Sequence, residues 1–406
     1  MISPKLANVR LQWGQQGGRP ALFIQNALGL TSVAVALPAA LSMLPTLCDG
    51  TRDVSALRAA LMVRAGVRIS EQMLAQILEQ MDEALLFENG RQGQALAEAL
   101  ERYRQAPARP PVSAGLSYPN DAVALRQFLE TFTAAAPAQP AWPHPPEDLR
   151  GIVSPHIDYQ RGGVVYAQVW SGARAALERA ALVVILGTDH HGPAGSITLT
   201  RQDYATPLGT LRTDREAVER VARAIGEEVA FAHEYHHAVE HSVELAAVWL
   251  QYVAPAARPS ILPIICGSFE PFILGQEEPD QHPVISAAVS ELGRLTEDGS
   301  RVVFVAAADF AHMGPAFNGA PVGVLERGRC AGADNDLLEA ICAGSAEGFL
   351  RRIRAEGDRR NVCGVPPIYL MLRVLGPARG LVTSVQQCPA DGQGTSIVSI
   401  AGALLW

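Results

Sequence analysis

Between residues 151 and 307 four short runs, 151–154, 181–186, 261–265 and 302–307, are apolar and largely β-branched along their whole length. A strand that is apolar on both faces has no side to offer water, so the sheet it joins must be covered above and below. The intervals between the runs hold amphipathic stretches such as 216–225 and 243–253, with the spacing of helices. Buried strands alternating with helices predict an α/β domain on a mixed, mainly parallel sheet flanked by helices. Later runs at 381–385 and 397–400 would complete that sheet.

Two proline-rich stretches, 106–111 and 136–146, cannot sit inside a helix or sheet and mark linkers or extended surface segments. Helical patterns dominate the region before the first: 55–65 reads as a short amphipathic helix, and 70–86 repeats Met73, Ile77, Met81 and Leu85 after a capping-type Ser70-Glu71. Apolar runs at 11–13, 21–24 and 85–87 are candidate strands of a small hairpin or wing. The apolar stretch 27–47 is interrupted by Gly29, Thr31, Ser32, Pro38, Ser42 and Pro45, which predicts a strand end, a turn and a buried helix instead of a membrane span. Residues 47–52 read as a turn between two helices. The predicted division is a small winged-helix domain at 1–105, a linker at 106–112 and the α/β domain at 113–406. The first region resembles the PqqD-like winged-helix domains, which bind leader peptides of ribosomally made peptides and often carry a turn like Asp49-Gly50-Thr51. The resemblance implies recognition of a peptide or partner; a generic docking role is the alternative.

Composition removes several classes. The formal net charge of −8 shows no basic excess of the kind a phosphate-binding surface needs, so no nucleic-acid partner is expected. Lys5 is the only lysine, which sets aside P-loop and Schiff-base chemistry. The six cysteines include no C-x-x-C pair and are too sparse for a disulfide-stapled secreted fold. With neither a signal-peptide pattern nor a membrane span, the expectation is a cytoplasmic protein.

All ten histidines lie after residue 140, and several stand just past the predicted strands. Ser154-Pro155-His156 follows the first run, Gly187-Thr188-Asp189-His190-His191 the second, and Ala308-Asp309-Phe310-Ala311-His312 the fourth. Ligands of open α/β sheets bind at the carboxyl ends of strands, so these loops should face one pocket. One histidine in a loop is usually structural; three strand ends each delivering one point to metal binding or proton transfer. Of His190 and His191, one should enter the pocket and the other pack or be solvated. A second group runs His233, Glu234, His236, His237, Glu240, His241, Glu244; His237, His241 and Glu244 would share a helix face if the helix has begun by then, the alternative being a polar helix start with buried hydrogen bonds. Cys363 precedes an apolar helix at 368–375, where a thiol has a lowered pKa and serves as ligand or nucleophile, whereas Cys266 reads as an inert core residue.

The ordered motifs Ala114-Gly115-Leu116-Ser117-Tyr118-Pro119, Ser154-Pro155-His156-x-x-Tyr159, Leu186-Gly187-x-x-His190-His191, Tyr204-x-Thr206-Pro207-Leu208-Gly209, Glu240-His241-Ser242-x-Glu244, Ala308-Asp309-Phe310-x-His312-x-Gly314, Cys363-Gly364 and Ala401-Gly402-Ala403-Leu404 resemble the Memo family. The family's bacterial members are called AmmeMemoRadiSam system protein B, and its fold resembles class III extradiol dioxygenases. The resemblance implies a pocket in which His156, His190 and Cys363 bind iron (Fe2+) or copper. His312 would act as acid and base, Asp309 as the orienting carboxylate, and His241 with Glu244 as partners holding the tautomers of the ligands. The expected function is a metal-dependent redox or dioxygenase-like enzyme acting on a peptide or aromatic small molecule, with a radical-SAM or peptide partner reaching it through the N-terminal domain. Two alternatives keep the same residues: a cysteine-nucleophile hydrolase, with His312 and Asp309 activating Cys363, and a non-catalytic peptide-binding scaffold. The chain departs from relatives at Ile157-Asp158, where many carry Ala-Gly, and at Ala311, where some carry cysteine.

Overall fold

The computed structural model describes residues 3–137, 148–297, 299 and 301–406; the proline-rich residues 138–146 lie outside the described residues. The chain divides into two compact units, Met1–Gln105 and Ala106–Trp406. The first is built on a three-stranded antiparallel sheet of β1 (Val9–Gln16), β2 (Arg19–Asn26) and β3 (Ala34–Pro38). Gly17 and Gly18 join β1 to β2 at φ of 57° and 76°, the backbone that a two-residue hairpin turn needs and that only glycine adopts freely. Helices Val54–Ala65 and Glu71–Glu83 start on Asp53 and Ser70, whose side chains accept from the N–H groups of Ala56 and Met73. Leu22, Ile24 and Leu37 from the sheet meet Leu57, Leu61 and Leu74 from the helices.

Three features of this unit differ from the sequence reading. The third strand is β3, inside the stretch taken for a strand end and buried helix, and only Leu44–Leu47 there is α-helical. Residues 85–87 form a single bridge, Leu6 to Phe87, because Leu85 turns the chain at φ 57° as it leaves the helix. Helix Gly90–Gln105, to which the sequence reading assigned no element, carries Leu96, Ala99, Leu100 and Tyr103 at helical spacing and buries Ala99 and Tyr103.

The second unit holds an eight-stranded mixed sheet. Its strands are β4 (Gly151–Ser154), β5 (Leu182–Thr188), β6 (Ile197–Leu199), β9 (Ser260–Cys266), β10 (Val302–Ala307), β11 (His312–Met313), β12 (Gly380–Pro389) and β13 (Ile397–Leu405), while β7 (Tyr204–Thr206) and β8 (Gly209–Leu211) form a separate hairpin. The order is β11-β13-β4-β10-β5-β9-β6, with β12 on β13. The central strands β4, β10, β5 and β9 run parallel, and the flanking pairs are antiparallel. Along β5, Leu182, Val184 and Leu186 face one helical layer that includes Arg215–Ile225, Pro283–Arg294 and Val365–Leu375. Val183 and Ile185 face the other, made by Tyr159–Leu177 and Ser242–Val253. The period-2 alternation of a pleated strand buries every residue because both faces are covered.

The segment expected as a linker at 106–112 is folded into this unit. Arg109 is fully buried; its N–H donates to the Asp203 carbonyl at 2.7 Å and its carbonyl accepts from Ala205 at 3.0 Å. Its guanidinium bonds the carbonyls of His237 (2.8 Å) and Glu240 (2.6 Å) and pairs with Glu244. Among the described residues no helix is long and apolar enough to cross a membrane.

Candidate functional site

The carboxyl ends of β4, β5 and β10 open into a cavity of about 800 Å³. His156, His190, His241, Asp309, His312 and Cys363 all line it. Parallel strands turn their carboxyl ends to the same edge, so loops far apart in sequence meet there. Ile157, Leu245 and Phe317 give the cavity an apolar side.

His156 follows Pro155 off β4. Its Nδ1 sits 2.9 Å from the Ala307 carbonyl and must donate to it, leaving Nε2 turned to Cys363 Sγ at 3.2 Å. Asp309 holds this loop by accepting from the main-chain N–H groups of His156 (2.8 Å) and Ile157 (3.3 Å). Cys363 reaches the cavity because Gly364 packs against the end of β10, where an added Cβ would meet Ala308 Cβ and the Asp309 carbonyl at 2.6 Å. Burial would raise the Cys363 thiol, but the imidazoles of His156 and His312 and hydrogen bonds from His156 and His190 hold it well below the ordinary thiol range. Burial works to lower His156, and the Cys363 thiolate and Asp309 outweigh it, pushing the imidazole up to about 9.

His190 enters the cavity and His191 does not. His190 Nδ1 lies 2.9 Å from Glu240 Oε2, whereas the His191 N–H bonds Asp189 and its ring abuts His236. The His156 ring stands edge-on to His190 at 5.3 Å and to His241 at 5.5 Å, and His190 and His241 stack at 5.2 Å. His312 Nδ1 faces the carbonyls of Phe310 and Asn361, both at 3.1 Å, so that nitrogen carries the proton and Nε2 is the acceptor. Asp158 lines the cavity as well, but its carboxylate caps helix Tyr159–Leu177 and pairs with Arg161 at 2.5 Å. Cys266 is buried and burial raises its thiol strongly.

The expected grouping of His237, His241 and Glu244 does not form. Helix His236–Val239 ends at Glu240, whose extended backbone (φ −81°, ψ 135°) breaks the spiral before helix Ser242–Val253 begins. His237 points away, its Nδ1 taking the Tyr204 hydroxyl at 2.6 Å and its Nε2 donating to the Thr198 carbonyl at 3.1 Å. Glu244 is bound to Arg109, Tyr118 and the N–H groups of Val112 and Ser113, and it touches no cavity histidine. The carboxylate that does bond the cavity imidazoles is Glu240, which the sequence reading assigned no role. Its signal was adjacency: it precedes His241, and an extended residue between two helices bonds its neighbours instead of a helix face.

His156, His190 and Cys363 each offer one ligand atom, all within 4.8 Å of one another. Both imidazoles are anchored through Nδ1 and the third donor is a thiol held toward its anion, a nitrogen and thiolate set that suits iron(II) or copper. Among the described residues one other group meets the same spacing, His190 with Glu240 and His241.

Comparison with known sequences gives a family match. The family model described as Memo-like protein matches residues 109–403. A MEMO1 family protein of Aquifex aeolicus is 25% identical over 357 residues, 87% of this chain and 86% of that one. That alignment is longer than the second unit alone, so it reaches into the first. A MEMO1 family protein of Methanococcoides burtonii is 29% identical over 295 residues, 72% of this chain and 97% of the relative. One from Desulfurococcus amylolyticus is 31% identical over 214 residues, 51% of this chain and 70% of the relative.

Proposed function

The chain belongs to the Memo-like protein family, and on that premise we propose that its second unit is a metal-dependent redox protein with dioxygenase-like chemistry, holding iron(II) or copper on His156, His190 and Cys363. The observation that carries this reading is the cluster of three ligand atoms within 4.8 Å at the floor of an open cavity. When bound, the metal would supply electron transfer and open coordination positions for a small ligand. Asp309 keeps the His156 loop in place through two main-chain N–H groups. His312, with its proton held on Nδ1, presents Nε2 to accept and return a substrate proton, and His241 offers a second imidazole across the cavity. The apolar side of the cavity takes an aromatic small molecule or a peptide side chain. The first unit would bring a peptide to it. Its three-stranded sheet, capped helices and Asp49 turn, in which Asp49 accepts from the Thr51 N–H at 3.0 Å, support a PqqD-like winged helix.

One contact favours a second reading. Cys363 Sγ and His156 Nε2, 3.2 Å apart, form a thiolate–imidazolium pair that can attack an acyl group without metal. The pairing partner is His156, not the His312 expected from the sequence. Metal content by mass spectrometry after anaerobic purification separates the two. We expect about one iron or copper per chain, absent from His156→Ala/Cys363→Ala. No metal in the wild type even after reconstitution would sink the metal reading and favour the thiolate.

A further inference from the structure

Glu240 lies 2% exposed between two helices, and every hydrogen bond to its carboxylate comes from a residue of the cavity wall or its flank. Oε1 accepts from the main-chain N–H groups of His241 (2.8 Å) and Ser242 (2.9 Å), and His241 Nδ1 lies 3.1 Å away. Oε2 accepts from the His190 N–H (3.2 Å) and stands 2.9 Å from His190 Nδ1. An ionised carboxylate only accepts, so each Nδ1 must donate. The two rings are stacked, 18° from parallel, one on each oxygen. We propose that Glu240 is a positioning residue that sets the proton on Nδ1 of His190 and of His241 together, so that both rings turn Nε2 to the cavity. Its consequence for metal binding rests on the reading above; the tautomer claim does not.

The glutamine variant tests this because it changes donors while keeping shape. In Glu240→Gln the amide oxygen takes the side with two main-chain donors, His241 and Ser242. The amide NH2 then faces His190 Nδ1, which must become an acceptor. The His190 proton moves to Nε2 and closes the lone pair a metal would use. In the metal-free full-length protein, at a pH alkaline enough that the His190 ring carries a single proton, 15N NMR of the histidine side chains should show that proton on Nδ1 in wild type and none there in E240Q. Cobalt(II) titration should show affinity falling about 10- to 100-fold in E240Q, the usual effect of removing a partner behind a metal-binding imidazole. The wild-type spectrum decides the tautomer even where E240Q does not fold.

An unprotonated His190 Nδ1 in wild type, or equal cobalt affinity in both proteins, overturns the proposal. So does uptake of two cobalt ions per wild-type chain with one lost in E240Q, which would make Glu240 a ligand beside His190 and His241. A wild type that takes up no cobalt while the His190 proton shifts as expected supports the positioning role and overturns the metal reading alone.

Discussion

Glu240 and Glu244 stand four residues apart, both buried and both saturated with hydrogen bonds, yet they serve opposite ends of the same short segment. Glu240 bonds two imidazoles of the cavity. Glu244 closes a buried ion pair with Arg109 and gathers the Val112 and Ser113 N–H groups and the Tyr118 hydroxyl. The break at Glu240 makes the difference. Glu240 is extended, so its side chain turns back to the strand end that carries His190, while Glu244 lies one turn into the next helix and faces the segment that follows Arg109. The histidines divide the same way. Those beside Glu240 and Cys363 sit among anionic partners, whereas His237, beside Arg109, is buried between a hydroxyl and a carbonyl.

The largest effect that separates the two glutamates is on stability. Glu244→Ala leaves the Arg109 guanidinium buried without its counter-charge, and breaking a buried pair from one side costs about 3 to 5 kcal/mol. Urea unfolding should show that loss, while whatever folded protein remains keeps the wild-type metal stoichiometry. E240Q should do the reverse, with weaker metal binding and a smaller stability change. Equal stability losses in the two variants would break the comparison.

The second effect is a pH dependence on the Glu244 side. Burial foremost, with Arg109 adding to it, depresses His237 to about 4, against about 6.5 in an unfolded chain. Between those values the unfolded chain binds a proton that the folded one refuses, so acidification favours unfolding. His237 therefore contributes its full stability above about pH 6.5 and loses it as pH falls toward 4, a change on the order of 3 kcal/mol. Unfolding free energies across that window should be flatter in His237→Gln. An unchanged slope would mean that other groups carry the acid sensitivity.

Much of the frame was legible before the structure. The runs at 151–154 and 302–307 became β4 and β10 with matching bounds, because a strand covered on both faces leaves an uninterrupted apolar record. The strand-end rule also brought His156, His190, Asp309 and His312 to one cavity. What could not be read was side-chain direction after a helix break. Spacing placed His237 and Glu244 with His241 only if one helix ran through all three, and the break at Glu240 removed that condition. Arg109 was hidden for a different reason: prolines around it describe the backbone well, but composition carries no sign of a guanidinium that reaches across to Glu244.

A smaller effect measures how far the Glu244 network shares its load. Tyr118→Phe removes one donor from a carboxylate that keeps Arg109 and two main-chain N–H groups. The loss should be about 1.5 to 3 kcal/mol, that of a hydrogen bond to a charged group. A loss as large as that of Glu244→Ala would show that Tyr118, not Arg109, anchors the network.

The smallest effect concerns Asp158, which decides whether lining the cavity is enough to place a carboxylate with Glu240. Asp158 lies on the cavity wall, yet its oxygens are taken by the Arg161 N–H at 3.1 Å and the Arg161 side chain at 2.5–2.6 Å. By its partners it resembles Glu244: a group serving its own helix. Asp158→Ala should therefore cost about 1 kcal/mol, the loss of an N-cap, and Asp158→Asn only a few tenths, because asparagine caps as well. The ion pair lost in both variants is partly solvent-exposed and adds little. Cobalt affinity should be the same in wild type and Asp158→Asn. A clear change there, with stability intact, would move Asp158 across the divide, making the carboxylate after Ile157 part of the cavity's own chemistry.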